Sequence, residues 1–164
     1  MKPRLRFIFD YGCNPLWSAD DITNEKFGYH IDDLSKLGLS NKTIKLAEHC
    51  SDMFYNYLNP VYQGFPSFWS GRMYAFFQFS IKRLFDQIGN EIGMEYEIQN
   101  EELDRFNEII DSNKIDSDLS SFVSNPVDFA LKNGVNFRSE EELKREIRNT
   151  YKEWEEKEYK YYST

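Results

Sequence analysis

The sequence contains few of the residues that usually identify a function directly. Its 164 residues include two cysteines, too few for the disulfide framework of a small secreted domain, so we expect Cys13 and Cys50 to be free thiols in a reducing compartment. The apolar run near the N-terminus, Phe7–Phe9, is too short for the core of a signal peptide, and no other run approaches a membrane span. The sequence therefore predicts a cytoplasmic protein that does not enter a membrane.

Histidine is equally scarce, which bears on metal binding and on catalysis. The chain has two histidines and no Cys-x-x-Cys pair. His30 lies near Asp32 and Asp33, but one histidine beside two aspartates in a loop is a weak pattern for a metal site. His49 and Cys50 are adjacent in a predicted helix, so their side chains point about 100° apart and cannot form a catalytic dyad. We expect neither a metal nor another cofactor.

Two further catalytic patterns are incomplete. Asp10 follows an apolar strand, as the nucleophile of some phosphotransfer enzymes does, but Gly12 stands where the second aspartate of that Asp-x-Asp pattern would be. Glu95 and Glu97 alternate with apolar residues along one strand, which is typical of a solvated face, whereas hydrolytic carboxylate pairs come from separate elements around a pocket. We find no catalytic signature and expect that the protein is not an enzyme.

Negative charge, by contrast, is abundant and confined to one stretch. The formal net charge is −8, and residues 95–128 account for all of it, with two basic residues against ten acidic ones. Such a localised field attracts a basic partner and repels nucleic acid and anionic membranes. The basic residues are dispersed and do not interleave with aromatic ones, which also argues against nucleic-acid binding. The ten acidic residues are Glu95, Glu97, Glu101, Glu102, Asp104, Glu108, Asp111, Asp116, Asp118 and Asp128.

Aromatic residues are the other abundant class, at 17% of the chain, which is enough to build a core and to supply protein interfaces. Residues 5–11 and 94–99 have the alternating pattern of strands, and we expect them to pair so that Arg4 and Arg6 face the two glutamates of the second strand. The sequence predicts an α+β (or small α/β) fold dominated by helices. We expect a single domain, with a compact α/β core over residues 1–99 and a helical extension over residues 100–164.

Helical spacing of apolar residues predicts five helices, and breaks in that spacing predict two loops. Ser40 is a helix cap, and the segment from Ser139 to Glu142 is a capping box. Residues 13–38 show no sustained period and are predicted to form a long loop with at most a short turn of helix, and residues 112–124 are predicted to form a polar loop. The predicted helices cover residues 40–58, 68–90 and 100–111, a short stretch from Pro126 to Gly134, and the chain after Ser139.

These features together resemble a known class of protein. A small, acidic, aromatic-rich domain without a catalytic set resembles the immunity proteins of bacterial polymorphic-toxin and contact-dependent inhibition systems. The opening Phe9-x-Tyr11-Gly12-Cys13-Asn14-Pro15-Leu16-Trp17 is similar in character to small bacterial proteins. The resemblance implies a toxin domain as the partner, for instance a nuclease, neutralised by occlusion of its active site, and it transfers no site residues because it involves no aligned motif.

We therefore predict a protein-binding inhibitor whose acidic surface docks on a basic partner. Two alternatives stay open. One is a small enzyme or ligand-binding protein with an aromatic-lined site around residues 52–72, and the other is an adaptor whose acidic face is merely solvated. The predicted partner-binding residues are Glu101, Glu102, Asp104, Glu108, Asp111, Asp116 and Asp118.

Overall fold

The computed structural model describes residues 1–105 and 111–163, without the side chains of residues 104 and 105. Helix makes up 60% of the structure, beside a small mixed sheet, so the predicted helix-dominated α+β class is confirmed. The described elements are β1 (Arg4–Phe7), β2 (Leu16–Ser18), α1 (Asp21–Phe27), a 3-10 helix (Leu34–Leu37), α2 (Asn41–Tyr55), α3 (Gly71–Ile92), β3 (Glu97–Asn100), α4 (Glu101–Arg105), α5 (Ser112–Ser124), α6 (Pro126–Lys132) and α7 (Glu140–Tyr161).

The sheet has three strands in the order β2-β1-β3. The central strand β1 is antiparallel to β2 and parallel to β3, with Leu5 opposite Ile98. Leu5 and Phe7 are fully buried and lie on one face, as the alternating pattern indicates. The predicted pairing of the first strand with the strand after the long helix is confirmed, although both strands are shorter than predicted.

The predicted placement of the two arginines is half right: in the β1–β3 ladder Arg4 lies opposite Glu97, whereas Arg6 lies opposite Gln99. The Arg6 guanidinium binds Glu101 rather than a glutamate of the strand, and Arg4 lies 3.8 Å from the carboxylate of Asp20. Strand β3 begins only at Glu97 and runs parallel to β1. Glu95 therefore lies in the turn before the strand. Short-range alternation in the sequence does not specify the strand register, which decides such pairs.

The two predicted loops are also wrong, because capping residues start helices there. In residues 13–38, the carboxylate of Asp20 accepts the Thr23 N–H at 2.9 Å and opens α1. In residues 112–124, the Asp111 carboxylate accepts two backbone N–H groups and opens α5. A side-chain acceptor at this position satisfies donors that the first turn leaves free. Both helices are rich in polar residues, which hides their period.

Four of the five predicted helices are confirmed, with shifted ends. The fifth, predicted over residues 100–111, is described only as α4 (Glu101–Arg105), and its residues 106–110 lie outside the described residues. The helix α2 ends three residues early at Tyr55, and α3 is displaced by two or three residues toward the C-terminus. Ser40 caps α2 and Ser139 caps α7, each hydroxyl accepting a backbone N–H three residues on. Among the described residues, no helix combines the length and the apolar character needed to cross a membrane.

Two compact units divide the chain, the first comprising Met1–Tyr55 and Phe77–Ile109 and the second comprising Asn56–Phe76 and Ile110–Thr164. Aromatic rings fill the core of the first unit, where Phe9 lies between Phe54 and Phe77 at centroid distances of 5.7 and 5.6 Å. Edge-to-face and offset contacts of this kind add about 0.5–1.5 kcal/mol per pair to the burial of the rings.

The core of the second unit is also aromatic. The ring of Phe65 packs against Phe122 at 5.2 Å and against Phe129 at 5.8 Å, and Phe68 packs against Tyr151 at 5.4 Å. Phe65 and Phe68 lie in the segment before α3, and the rings that they contact lie on α5, α6 and α7. These contacts hold α5 and α6 against the rest of the unit, and they set the geometry of the surface described next.

Candidate functional site

The predicted partner-binding residues of the first unit have structural contacts. The Arg6 side chain donates from Nε and Nη2 to the two carboxylate oxygens of Glu101, at 2.7 and 2.6 Å. Hydrogen bonding to Glu101 raises the pKa of Arg6 further above its ordinary value. The side chain of Glu101 remains 38% exposed, so it is still accessible from solvent.

Glu102, the next residue, is buried. Its side chain is 0% exposed, and its Oε2 accepts the Phe9 N–H at 2.7 Å. Phe9 follows β1, where the sheet ladder has ended, so the carboxylate supplies the acceptor that a strand neighbour would otherwise supply. Glu102 does not contribute to an acidic surface in this structure. Of the other predicted residues in this stretch, Glu108 and the side chain of Asp104 lie outside the described residues.

The three remaining predicted residues belong to the second unit. Asp111 caps α5, and Asp116 accepts the Gly71 N–H at 2.7 Å. Asp118 forms an ion pair with Lys114 one helical turn away, and its side chain is 64% exposed. Hydrogen bonding to Asp118 raises the pKa of Lys114. An exposed pair of this kind is weak. Asp118 is therefore available to a partner at little cost.

A cleft lies beside Asp118, between α5 and α6. Its volume is about 370 Å³. Phe122 and Phe129 form its apolar lining and contact each other edge to face at 5.4 Å, and Asp128 is exposed beside them. Pro66 and Asn125 complete the wall beside these residues, and Lys132 also reaches the cleft. The lining carries two carboxylates and the ammonium group of Lys132, and the exposed Lys114, which pairs weakly with Asp118, stands beside it.

The sequence carries only part of the signal for this cleft. Asp118 is among the predicted site residues, and Asp128 is one of the ten acidic residues of the segment, but no local pattern places the two phenylalanines beside them. In the structure Asp118 and Phe122 are one helical turn apart on α5, where the sequence predicts a loop. The sequence signal for the cleft is the Asn125-Pro126 break, at which the chain passes from α5 into α6.

The aromatic segment around residues 52–72, the alternative predicted site, is mostly packed. Phe65, Phe68 and Trp69 are buried, and Trp69 contacts the rings of Tyr57 and Tyr74 at 5.2 Å each. These rings belong to the core of the second unit. Arg72, one of the polar residues considered for this site, lies over the Tyr162 ring at 4.1 Å. Most of these contacts are core packing, but Tyr62 and Phe65 also line a cleft of about 230 Å³ together with residues of α7.

The two histidines considered in the sequence analysis, His30 and His49, lie in different environments. Burial raises the pKa of the Cys50 thiol to about 12, and burial lowers the pKa of the neighbouring His49. His30 Nε2 accepts the Asn14 N–H at 3.1 Å while its Nδ1 contacts Asp32 at 2.7 Å, so the imidazole joins the β1–β2 connection to the segment after α1. Among the described residues, no three His, Cys, Asp or Glu side chains are grouped so as to hold a metal ion.

Comparisons with family models and with curated protein sequences do not assign the chain to a family. No protein-family model matches the chain, and no curated protein sequence matches it significantly. The functional inference therefore depends on the surfaces themselves.

Proposed function

We propose that this protein binds a basic protein partner through the surface of α5 and α6, and that it acts in the cytoplasm as an inhibitor of the immunity-protein kind. The observation that supports this proposal is the cleft in which Asp118 and Asp128 flank an apolar lining of Phe122 and Phe129. An arginine or lysine side chain has the matching construction, an apolar stem with a cationic head.

The chemistry of the cleft favours an arginine as the central anchor of the partner. The guanidinium group stacks on aromatic faces and donates hydrogen bonds from its edge, so it can contact Phe129 and donate to a carboxylate at the same time. Arginine is also enriched among the residues that dominate binding energy at interfaces. A cleft of about 370 Å³ is large enough for one such side chain.

The wider charge distribution supports an inhibitory role. The segment that carries the whole net charge of −8 includes α5 and the start of α6, with Asp111, Asp116, Asp118 and Asp128 in the second unit. Opposite charge on two surfaces speeds their encounter and fixes their orientation. Enzymes that bind nucleic acid have basic active sites, and an acidic helix placed over such a site excludes the phosphate backbone.

The surface itself is tested with an arginine peptide. We expect a nona-arginine peptide to bind the protein, and the Asp118→Asn, Asp128→Asn double variant to lose about tenfold in affinity, which corresponds to about 1.4 kcal/mol. The matched control is Glu153→Gln, Glu156→Gln, which removes the same charge from exposed positions of α7. Titration calorimetry at low and high salt measures the affinities. Equal losses in the two double variants would mean that only net charge matters and would contradict a site at the cleft.

The inhibitory role needs a separate test. We expect the gene beside the one for this protein to encode a toxin-like domain whose activity this protein suppresses. An assay of that domain with and without the protein measures the suppression, and the Asp118→Lys, Asp128→Lys variant should suppress less at equal concentration. A neighbouring toxin-like domain that is neither bound nor suppressed would refute the inhibitory role while leaving the peptide result intact.

A further inference from the structure

A second cleft, in the first unit, has aromatic walls and is independent of the α5–α6 surface. Its volume is about 310 Å³. The residues that give it its chemistry are Arg6, Asp10, Tyr11, Trp17, Tyr29 and Phe54. All of them belong to the first unit, so the cleft is formed within one compact body.

The aromatic walls are held in place by contacts of their own. Tyr11 stacks on Phe54 with ring centroids 4.8 Å apart, and Trp17 meets Tyr29 edge to face at 5.5 Å. The indole Nε1 of Trp17 donates to the Ile8 carbonyl at 3.0 Å, which fixes the orientation of that ring. Tyr29 is 62% exposed and stands at the rim. These ring positions exist before any ligand arrives, which lowers the cost of binding.

The charged groups at the cleft leave a net negative charge. The Arg6 guanidinium is neutralised by its two hydrogen bonds to Glu101, at 2.7 and 2.6 Å. The Asp10 carboxylate is exposed and accepts the Tyr11 N–H at 2.8 Å. Among the described residues, no lysine or arginine forms an ion pair with Asp10. One uncompensated carboxylate therefore faces a pocket of π-electron surfaces.

We propose that this cleft binds a small free molecule with a quaternary or methylated ammonium group. The faces of tyrosine and tryptophan attract such cations, and a methylated ammonium sheds its water more easily than a primary one. Asp10 supplies the counter-charge at the mouth of the cleft. An anionic ligand is disfavoured because Glu101 already occupies Arg6, and a neutral apolar ligand would leave Asp10 without a role.

The cation preference is tested with probes of equal shape. Tetramethylammonium and choline are titrated into the full chain against 2,2-dimethylpropanol, which is similar in shape and uncharged, and against acetate. The indole N–H resonance of Trp17 in a proton–nitrogen correlation spectrum reports binding at the cleft, because Trp69 and Trp154 are buried elsewhere. We expect saturable shifts with the two cations, and affinity at least about fivefold weaker for the alcohol.

Two variants locate the interaction. Asp10→Asn keeps the shape of the side chain and removes its charge, and we expect it to weaken choline binding about tenfold. The control is Asp86→Asn, which removes one exposed carboxylate from α3 in the same unit and should leave the affinity unchanged. Tyr29→Leu removes an exposed ring at the rim, and it should weaken the binding of the two cations more than the binding of the alcohol. Thermal unfolding of each variant verifies that the fold is retained.

Each contrary outcome has a definite meaning. Equal binding of choline and the alcohol would show a merely apolar cleft, and binding of acetate alone would assign the cleft to anions through Arg6. The inference is also overturned if the Trp17 resonance does not shift up to about 100 mM choline. At that concentration even a very weak site, with a Kd of several tens of millimolar, is mostly occupied. A trimethyl-lysine peptide that bound more than about tenfold tighter than choline would place the cation on a protein and refute a free small ligand.

Discussion

At the scale of single residues, neighbouring carboxylates of one acidic segment have different physical environments. Glu101 is half exposed and paired with Arg6, Glu102 is enclosed by the fold, and Asp118 stands in solvent beside Lys114. Exposed ion pairs contribute little to stability, whereas a buried acceptor of a backbone N–H contributes more because its loss leaves the donor without a partner. The charge of a residue therefore does not indicate whether it serves the fold or a partner.

The contrast between Glu101 and Glu102 can be measured. We expect Glu102→Ala to lower the free energy of unfolding by about 1–3 kcal/mol, because the buried Phe9 N–H loses its acceptor. The control Glu101→Ala breaks an ion pair that solvent partly screens, and it should cost at most about 1 kcal/mol. Urea unfolding followed by circular dichroism gives both values. Similar losses for the two variants would mean that the Phe9 contact contributes nothing of its own.

At the scale of elements, caps and close approaches decide where helices begin and how they meet. The start of α2 and the last turn of α3 share one carboxylate, because Glu91 accepts from the Ser40 N–H at 2.7 Å and from the Thr43 hydroxyl at 2.5 Å. The start of α3 approaches the start of α5, where a Cβ added to Gly71 would lie 2.6 Å from the Ser112 carbonyl oxygen. Such contacts join residues that are far apart in sequence.

The Glu91 contact makes stability depend on pH. Partial burial raises the pKa of Glu91, but hydrogen bonds from Thr43 and Ser40 lower it by more, so it lies below the ordinary value of 4.5. A depressed pKa means that the ionised carboxylate stabilises the folded state, fully above that ordinary value and less as pH falls through the folded value. The stability lost in Glu91→Gln should therefore be constant from about pH 7 to pH 5 and shrink below about pH 4.5.

The measurement compares unfolding curves of the unchanged protein and of the Glu91→Gln variant between about pH 7 and pH 3. Thr43→Val removes the buried donor without changing the size of the side chain much, and in that background the effect of pH on the Glu91→Gln difference should be smaller. A difference that stays the same down to about pH 3 would show that Glu91 is not stabilised in its ionised form.

The close approach of α3 and α5 predicts opposite outcomes for two glycines of one helix. We expect Gly71→Ala to destabilise the protein by about 1–3 kcal/mol, because the backbone of Ser112 occupies the space and cannot move aside cheaply. At Gly89, on the same helix, an added Cβ meets nothing within 4 Å. Gly89→Ala should stabilise by up to about 1 kcal/mol through helix propensity. Thermal unfolding distinguishes them, and a neutral Gly71→Ala would show that the contact relaxes easily.

The elements that could be predicted from the sequence are those with a strong local signal. Alternation at Leu5 and Phe7 predicts β1, and the long apolar stripe predicts α3. The sequence does not predict α1 and α5, because these helices start at Asp20 and Asp111. Without a clear apolar period after it, a capping aspartate cannot be distinguished from an aspartate in a loop. The strand register and the Arg6–Glu101 pair depend on contacts across the fold, which local patterns do not encode.

At the scale of the whole molecule, the acidic segment belongs to two compact units, with residues 95–109 in the first and residues 110–128 in the second. Its charge can be read from the sequence. The cleft beside Asp118 cannot, because it requires Phe122 and Phe129 on two helices to meet across the Asn125-Pro126 break. The assignment of single carboxylates to the fold or to solvent likewise needs tertiary structure.

The two cysteine thiols differ in burial, and their reactivity should differ between the native and the denatured protein. Cys50 is 0% exposed, and burial raises the pKa of its thiol to about 12, so it should not react with Ellman's reagent (a thiol-reactive disulfide) in the native protein. Cys13 is half-buried, and burial also raises the pKa of its thiol. We therefore expect the Cys13 thiol to react slowly. We expect one thiol per chain to react natively and two in denaturant, with Cys13→Ser removing the native reaction. Native labelling of the Cys13→Ser variant would contradict the burial of Cys50.

The burial of Glu102 has an evolutionary consequence. A carboxylate that accepts a backbone N–H inside the protein is constrained by the protein's own folding, whatever partner it meets. Asp118 and Asp128 are free of that constraint and can change as fast as a partner's surface does. Among natural variants of this chain that face different partners, we expect Glu102 to persist while the residues of the α5–α6 cleft diverge. The rate of substitution should therefore distinguish carboxylates that serve the fold from carboxylates that serve a partner, which their charge alone does not.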